Sequence, residues 1–194
     1  FPNQVFFGDT HLHTSYSWDA GMIGNTLGPE QAYRFARGET VTSSTGLKAR
    51  LSRPLDFLVV ADHAEGLGVS PMLATSDPIV MNDPLGRELN GYVTGGKPDK
   101  AYDGWRAATR EGRNTLITNR AMIDSAWHHL TAAAEEYNEP GRFTALIGYE
   151  WTSIPSGNNL HRNVIFRDDK AKADQVTPFS AEDSTDPEDL WKWM

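Results

Sequence analysis

Six side chains of metal-binding type lie close in sequence to short apolar segments. They are His11, His13, Asp19, His63, Glu150 and His161. His11 and His13 are one residue apart, so in an extended segment both point to the same side of the backbone. The carboxyl ends of parallel strands meet at one face of an α/β fold, where active sites are built. The order of the whole set therefore predicts a metal site at that face.

Each of these residues alone also has an ordinary structural explanation. A His-x-His pair occurs often by chance, and Asp62–His63 could be a hydrogen-bonded pair at the end of a strand. Glu150 could cap a helix, although burying a lone carboxylate is costly unless a cation or hydrogen bonds compensate it. It is the succession of three apolar segments, each with a possible ligand, that favours the metal site.

The composition of the chain narrows the possible chemistry. There is no cysteine among the 194 residues, which excludes disulfides, a thiolate metal site and a cysteine nucleophile. His, Asp and Glu donors suit zinc, manganese or iron. The formal net charge is −8 with no dense basic cluster, so the sequence has no nucleic-acid footprint. No apolar run approaches the ~20 residues that a membrane span needs.

Apolar runs and helical spacing predict an α/β fold with a parallel sheet in a single domain, residues 1–194. The predicted strands are residues 5–7, 55–61, 143–149 and 163–166, and the predicted helices are residues 29–37 and 117–137. Residues 66–114 are rich in Gly, Pro, Asp and Asn, and we interpret them as a long loop insertion that covers the site. Residues 186–194 begin like a helix but stop after about two turns, which favours a domain that is incomplete at its C-terminus.

Four segments together resemble the PHP superfamily, which is named for polymerase and histidinol phosphatase. They are GDTHLHTSYSWDA (residues 8–20), LDFLVVADH (55–63), IGYEWTS (147–153) and NLHRNV (159–164). The strings ADHAE and GYEWTS are similar to a bacterial branch catalogued as domain of unknown function 3604. This resemblance implies a distorted (β/α)7 TIM-like barrel of which the chain would form the N-terminal part. The PHP pattern continues with another His and an Asp-x-His pair, which this sequence lacks after residue 161.

The resemblance also implies two or three divalent metal ions (Zn, Mn or Fe) and assigns ligands to them. His11 and His13 would bind one metal together with Glu150. Glu150 would bridge to a second metal, which His161 would also bind. A third metal would be bound by Asp19 and His63.

The implied activity is hydrolysis of phosphoester-type bonds in a small molecule by a metal-activated hydroxide. Arg162 is a catalytic candidate because guanidinium can clamp a phosphoryl oxygen, although a surface salt bridge would explain it equally well. Asp62 is a second candidate, since a carboxylate beside a ligand histidine can fix its tautomer. Trp18 and Trp151 flank the predicted site and are candidates to line a substrate pocket, while Glu65 is interpreted as a loop carboxylate rather than a further ligand.

Other functions remain open at this point. The same metals could cleave another ester or an amide, for example a sulfate ester, or the domain could bind metal or a partner without catalysis. The lack of cysteine is compatible with both cytoplasm and periplasm, and the resemblance to the bacterial branch favours a periplasmic or secreted protein.

Overall fold

The computed structural model of the chain describes residues 3–194, and its main sheet has four strands. In sheet order these are β1 (Gly8–Leu12), β4 (Phe57–Val60), β5 (Thr144–Ser153) and β6 (Leu160–Ile165). A second, small antiparallel sheet pairs β2 (Val41–Thr42) with β3 (Lys48–Ala49). Near-continuous apolar runs form the buried central strands, as expected for strands covered on both faces.

The main sheet is mixed in direction. Strands β1, β4 and β5 run parallel, whereas β6 returns antiparallel to β5 after a short connection that contains a 3-10 turn, Pro155–Gly157. Glu150 pairs with Asn163 in this hairpin, and Thr152 pairs with His161. A connection this short can join only antiparallel strands, since a parallel partner needs a crossover of a dozen or more residues.

The two outer strands of the sheet approach each other. Asn163 on β6 donates a side-chain hydrogen bond to the carbonyl of Thr10 on β1, at 2.7 Å. These strands stand at opposite edges, and neighbouring strands are about 4.8 Å apart, so a flat sheet would keep these edges far beyond hydrogen-bonding distance. The sheet is therefore curled, and its curvature brings residues of β1 and β6 to one point.

Helices occupy most of the remaining chain. They are α1 (Trp18–Met22), α2 (Pro29–Ala36), α3 (Val69–Ala74), α4 (Pro78–Met81), α5 (Pro84–Thr94), α6 (Pro98–Arg110), α7 (Arg120–Tyr137), α8 (Lys170–Ala173) and α9 (Pro187–Trp193). The core contains fully buried aromatic side chains, among them Trp127, Tyr33 and Tyr149. None of the helices within residues 3–194 combines the length and the apolar character needed to cross a membrane.

The prediction of a distorted (β/α)7 TIM-like barrel is wrong. Residues 3–194 form a curled four-stranded sheet and a two-stranded sheet, with no seven-stranded barrel among them. Two features account for the difference. The long segment between β4 and α7 contributes helices instead of strand–helix units, and β6 pairs antiparallel as a hairpin.

The interpretation of residues 66–114 as a loop insertion is also wrong, because this segment forms helices α3 to α6. Three of its four prolines, Pro78, Pro84 and Pro98, stand at the first helical position, where the missing N–H is not needed. The side chain of Asp77 accepts a hydrogen bond from Ile79 N, and that of Asp83 accepts one from Leu85 N. The Asp-Pro pairs that indicated loops are therefore helix starts.

The other predicted helices and strands are present with shifted boundaries. The predicted helices at residues 29–37 and 117–137 are confirmed as α2 and α7, and α7 begins at Arg120 because the side chain of Asn119 caps it by accepting from Met122 N. The first strand lies at Gly8–Leu12 rather than residues 5–7, whose apolar side chains are exposed.

Candidate metal centre

The curled sheet brings the six predicted donors together at one end of its strands. We call them the metal-donor cluster: His11, His13, Asp19, His63, Glu150 and His161. They form three overlapping groups, and in each group the donor atoms lie within 4.8 Å of one another. The groups are His11–His13–Glu150, His13–Asp19–His63 and His63–Glu150–His161.

The carboxylate of Glu150 is the centre of this cluster. Its Oε2 atom lies 2.8 Å from His13 Nε2 and 3.2 Å from both His11 Nε2 and His63 Nδ1. Its Oε1 atom is in close contact with His161 Nδ1. Glu150 is fully buried, although His11 is half exposed to solvent. Strand β5 thus places one carboxylate among four imidazole rings contributed by β1, β6 and the segments after β1 and β4.

These close contacts are not hydrogen bonds. Within the described residues, neither oxygen of Glu150 nor His13 Nε2 has a hydrogen-bond partner. Burial alone would raise the pKa of Glu150, but the surrounding histidines lower it to about 2. Burial would lower the pKa of His13, yet Asp19 and Glu150 raise it to about 10. Buried carboxylate oxygens without hydrogen-bond partners, among converging nitrogen donors, form an arrangement that could hold a divalent cation.

Asp19 joins the cluster from the first turn of α1. Its Oδ1 atom lies 3.3 Å from His13 Nδ1, and its Oδ2 atom lies 3.4 Å from His63 Nε2. Ser17, which precedes α1, donates a hydrogen bond of 2.6 Å to Asp19 Oδ1. Burial alone would raise the pKa of Asp19, but the neighbouring His13 and His63 and the hydrogen bond from Ser17 hold this pKa well below its usual range. Asp19 is thus an ionised donor shared between two histidines.

Asp62 makes no hydrogen bond or ion pair with the imidazole rings of the cluster. It is completely buried, and its two oxygens accept hydrogen bonds from the backbone N–H and the hydroxyl of Thr14. Burial raises the pKa of Asp62 to about 6, against the opposing effect of these hydrogen bonds. The contacts tie the segment after β1 to the end of β4. Asp62 therefore holds the backbone beside His13, and the structure does not place it where it could fix a histidine tautomer.

Arg162 is not part of the cluster. Successive side chains of a strand point to opposite faces, so Arg162 points away from the side that His161 faces on β6. Its guanidinium is exposed and donates to the carbonyl of His161 at 2.7 Å. The structure therefore does not bring Arg162 to the position from which it would clamp a phosphoryl oxygen.

Comparison with known proteins places the chain in a family. The family model described as "Protein of unknown function (DUF3604)" matches residues 1–194. The chain belongs to this family. No curated protein and no solved structure matches the chain.

Two side chains that contact the cluster in this DUF3604 chain were missed or misinterpreted in the sequence. The hydroxyl of Thr152 lies 2.9 Å from His63 Nδ1 and 3.0 Å from His161 Nδ1. It stands two residues after Glu150 on the same strand, and that spacing already placed it on the same face. Glu65, interpreted as a loop carboxylate, is buried, and its Oε1 accepts from the N–H groups of Thr152 and Ala181. Burial raises the pKa of Glu65 to about 7.

A cavity of about 430 Å³ adjoins the cluster. It is lined by His63 and Thr152 and by the aromatic rings of Trp18 and Trp105. The other tryptophan expected at the site, Trp151, is instead fully buried, and its indole N–H donates to the carbonyl of Ser184. Trp151 is therefore a core residue, as its alternation with Glu150 along β5 requires.

Proposed function

We propose that this chain is a metal-dependent hydrolase of the PHP type that cleaves phosphoester bonds of a small molecule with two or three divalent cations. The observation that carries the proposal is the buried carboxylate of Glu150, which has no hydrogen bond among the described residues and four imidazole nitrogens in contact with it. The resemblance of the motifs around these residues to the PHP superfamily supports the same function.

The three groups of donors suggest how cations would be held. His11 and His13 would bind one with Glu150, and Glu150 would extend to a second with His161. Asp19 would hold a third. His63 lies within reach of both the second and the third positions. Mixed nitrogen and oxygen donors of this kind suit zinc, manganese or iron.

The residues of this chain supply the framework for the chemistry. Cations at this centre would lower the pKa of a water molecule and neutralise charge on phosphoryl oxygens. Thr152 contacts both His63 and His161 and so fixes the orientation of two rings with one hydroxyl. The Asp62–Thr14 contacts hold the segment that carries His13. The half-exposed side of His11 leaves the cluster open to a substrate.

Hydrolysis of bis-p-nitrophenyl phosphate with added Zn, Mn or Fe tests the proposal. We expect turnover by the native chain and a loss of at least about 100-fold in His13→Ala and Glu150→Gln, because both remove a donor from the centre of the cluster. His128→Ala is the matched control, since His128 is an exposed histidine on α7 outside the cluster. Equal rates in all four proteins would contradict the proposal. Bound metal without turnover would favour a sulfate ester or an amide as substrate, or a non-catalytic metal-binding domain.

A further inference from the structure

The cavity beside the metal-donor cluster has the size of a binding site for part of a small molecule. Its volume of about 430 Å³ lies within the range of ligand pockets. His63 belongs to the cluster and also lines the cavity. Thr152 lines the cavity as well, and its hydroxyl contacts His63 and His161. A group seated in the cavity would therefore belong to a molecule whose reacting bond lies at the cluster.

One wall of the cavity is made of aromatic rings. Trp18 is half-buried, and its ring centroid lies 6.2 Å from that of Trp105 and 6.0 Å from that of His63, with interplanar angles of 27° in both pairs. Tyr102 stacks on Trp18 at 5.7 Å. These rings are stacked on one another, and the part of Trp18 that remains exposed lines the cavity as a flat apolar surface against which a further ring can lie. The wall thus favours a planar group over a branched or spherical one.

The aromatic wall is held rigidly in place. Gly66 has a φ of +67°, and a Cβ atom at this position would lie 2.5 Å from the ring of Trp105. Trp105 therefore packs directly against the backbone that follows His63, where only glycine leaves room. Its side chain is almost completely buried. Preorganised walls of this kind reduce the entropic cost of binding.

Apolar and charged side chains complete the cavity. Ile117 and Ile154 also line it, and Ile154 is 57% exposed, so a ligand would cover it. Arg106 and Arg110 are matched in number by two carboxylates, Glu65 and Glu182. Because acidic and basic side chains both line the cavity, no charge of a single sign selects an ionic group, and the apolar Trp and Ile side chains favour an uncharged ring.

We propose that this cavity binds a planar, uncharged aromatic or heteroaromatic group of the substrate. This inference rests on the proposed function, because it makes the substrate a phosphoester whose ring lies on Trp18 while its phosphoryl group lies at the cluster. Stacking of the ring on Trp18 supplies binding energy and positions the phosphoester bond at the cluster.

Two non-hydrolysable probes, phenylphosphonate and methylphosphonate, separate the cavity from the metal centre. Both carry the same anionic group, and only the first carries a ring. Calorimetry on the purified chain gives the dissociation constant of each probe. The preference for the ring is the ratio of the dissociation constant of methylphosphonate to that of phenylphosphonate. We expect a preference of about tenfold in the native chain. Trp18→Ala should reduce it to about threefold or less because the stacking surface is lost.

Two further variants make the test independent of folding. Ile154→Ser changes an exposed side chain of the cavity and should also lower the preference, and it decides the test if Trp18→Ala does not fold. Trp191→Ala removes an exposed tryptophan on α9 and should leave the preference unchanged.

The outcomes distinguish the two proposals. Equal binding of both probes to the native chain overturns the cavity proposal and leaves the metal centre. A preference for the ring that survives both cavity variants also overturns it. Binding of phenylphosphonate alone, lost in Trp18→Ala, supports the cavity and counts against an anion site at the cluster. Failure of both probes to bind overturns both.

Discussion

At the scale of single residues, the buried pair of Asp62 and Thr14 explains how the cluster keeps its shape. Asp62 accepts two hydrogen bonds from one residue, and both partners are buried. Asp62 precedes His63 in the sequence, and its partner Thr14 follows His13, so the pair links two strand ends that carry donors. The link joins the Asp62 carboxylate to the backbone N–H and the hydroxyl of Thr14.

Thr14→Val should therefore act on stability. The substitution keeps the shape of the side chain but removes the hydroxyl that donates to Asp62 Oδ2, so a buried carboxylate oxygen loses its partner and we expect a loss of about 1–3 kcal/mol in the free energy of unfolding. Urea denaturation measures it. Thr40→Val, at an exposed position, is the control and should change little. An unchanged midpoint in Thr14→Val would show that the contact with Asp62 does not stabilise the fold.

The donor residues themselves could be predicted, because residue type and position at strand ends are visible in sequence. All six donors named from the sequence lie close together in the structure, in three overlapping groups. Two other residues could not be placed in this way. The face of Arg162 depends on where β6 begins, and a shift of one residue reverses it. The burial of Glu65 depends on Ala181, which is 116 residues away in the chain.

At the scale of elements, the close packing of α6 against the end of β4 depends on one glycine. Gly66→Ala would add a methyl group 2.5 Å from the Trp105 ring in a backbone conformation with positive φ. Gly112→Ala is a matched control, since its φ is +68° with no atom within 4 Å of the new Cβ. Both variants carry the cost of positive φ, about 1 kcal/mol.

Only Gly66→Ala should carry the additional cost of overpacking, about 1–3 kcal/mol. Thermal and urea unfolding of the two variants give the difference. Equal losses in both would mean that Trp105 does not pack against this backbone.

Helices α2 and α7 are joined by an ion pair whose strength depends on pH. Glu30 Oε1 lies 2.7 Å from His129 Nε2, and the ring of His129 stacks on Tyr16 at 5.1 Å. The hydrogen bond to Glu30 raises the pKa of His129 above 6.5, and the bond to His129 lowers the pKa of Glu30 below 4.5. Both groups are partly exposed, so solvent screening limits the pair to about 1 kcal/mol or less.

The sign of this effect follows from linkage. The contribution of His129 to the free energy of unfolding is fully present below pH 6.5, and it is lost as the pH rises through the higher pKa that His129 has in the folded state. The contribution of Glu30 to the free energy of unfolding is present above pH 4.5, and it is lost as the pH falls through the lower pKa that Glu30 has in the folded state. His129→Gln should therefore lose more stability near pH 5.5 than near pH 9, by about 0.5 kcal/mol. A pH-independent loss in urea titrations would contradict this account.

Helix starts show why part of the chain was misinterpreted. The prediction that Asp186-Pro187 begins a helix is confirmed, and it rested on the Asp cap, the Pro at the first position and the acidic residues of the first turn. The same pair at Asp77-Pro78 and Asp83-Pro84 lies among several glycines, and there it indicated loops. The cap chemistry is identical in the three places. The surrounding glycines misled the interpretation, although Gly86 and Gly91 lie inside α5.

At the scale of the whole molecule, the curled sheet determines which residues meet. Donors separated by as many as 150 positions in sequence, His11 and His161, have ring centroids 6.4 Å apart. Local patterns predict strands but contain no information on the number of strands in a sheet or on its curvature. The parallel order of β1, β4 and β5 was predictable from continuous apolar runs, whereas the hairpin to β6 and the strand count were not.

The account as a whole depends on cations bound around Glu150. Elemental analysis of the purified chain after dialysis, compared with Glu150→Gln, tests this most directly. We predict about two to three equivalents of Zn, Mn or Fe in the native chain and about one equivalent or less in Glu150→Gln, because the shared carboxylate contacts four of the other donors. Glu136→Gln, an exposed position on α7, should retain the native metal content. A native chain without metal, or a Glu150→Gln variant that keeps all of it, would contradict the account.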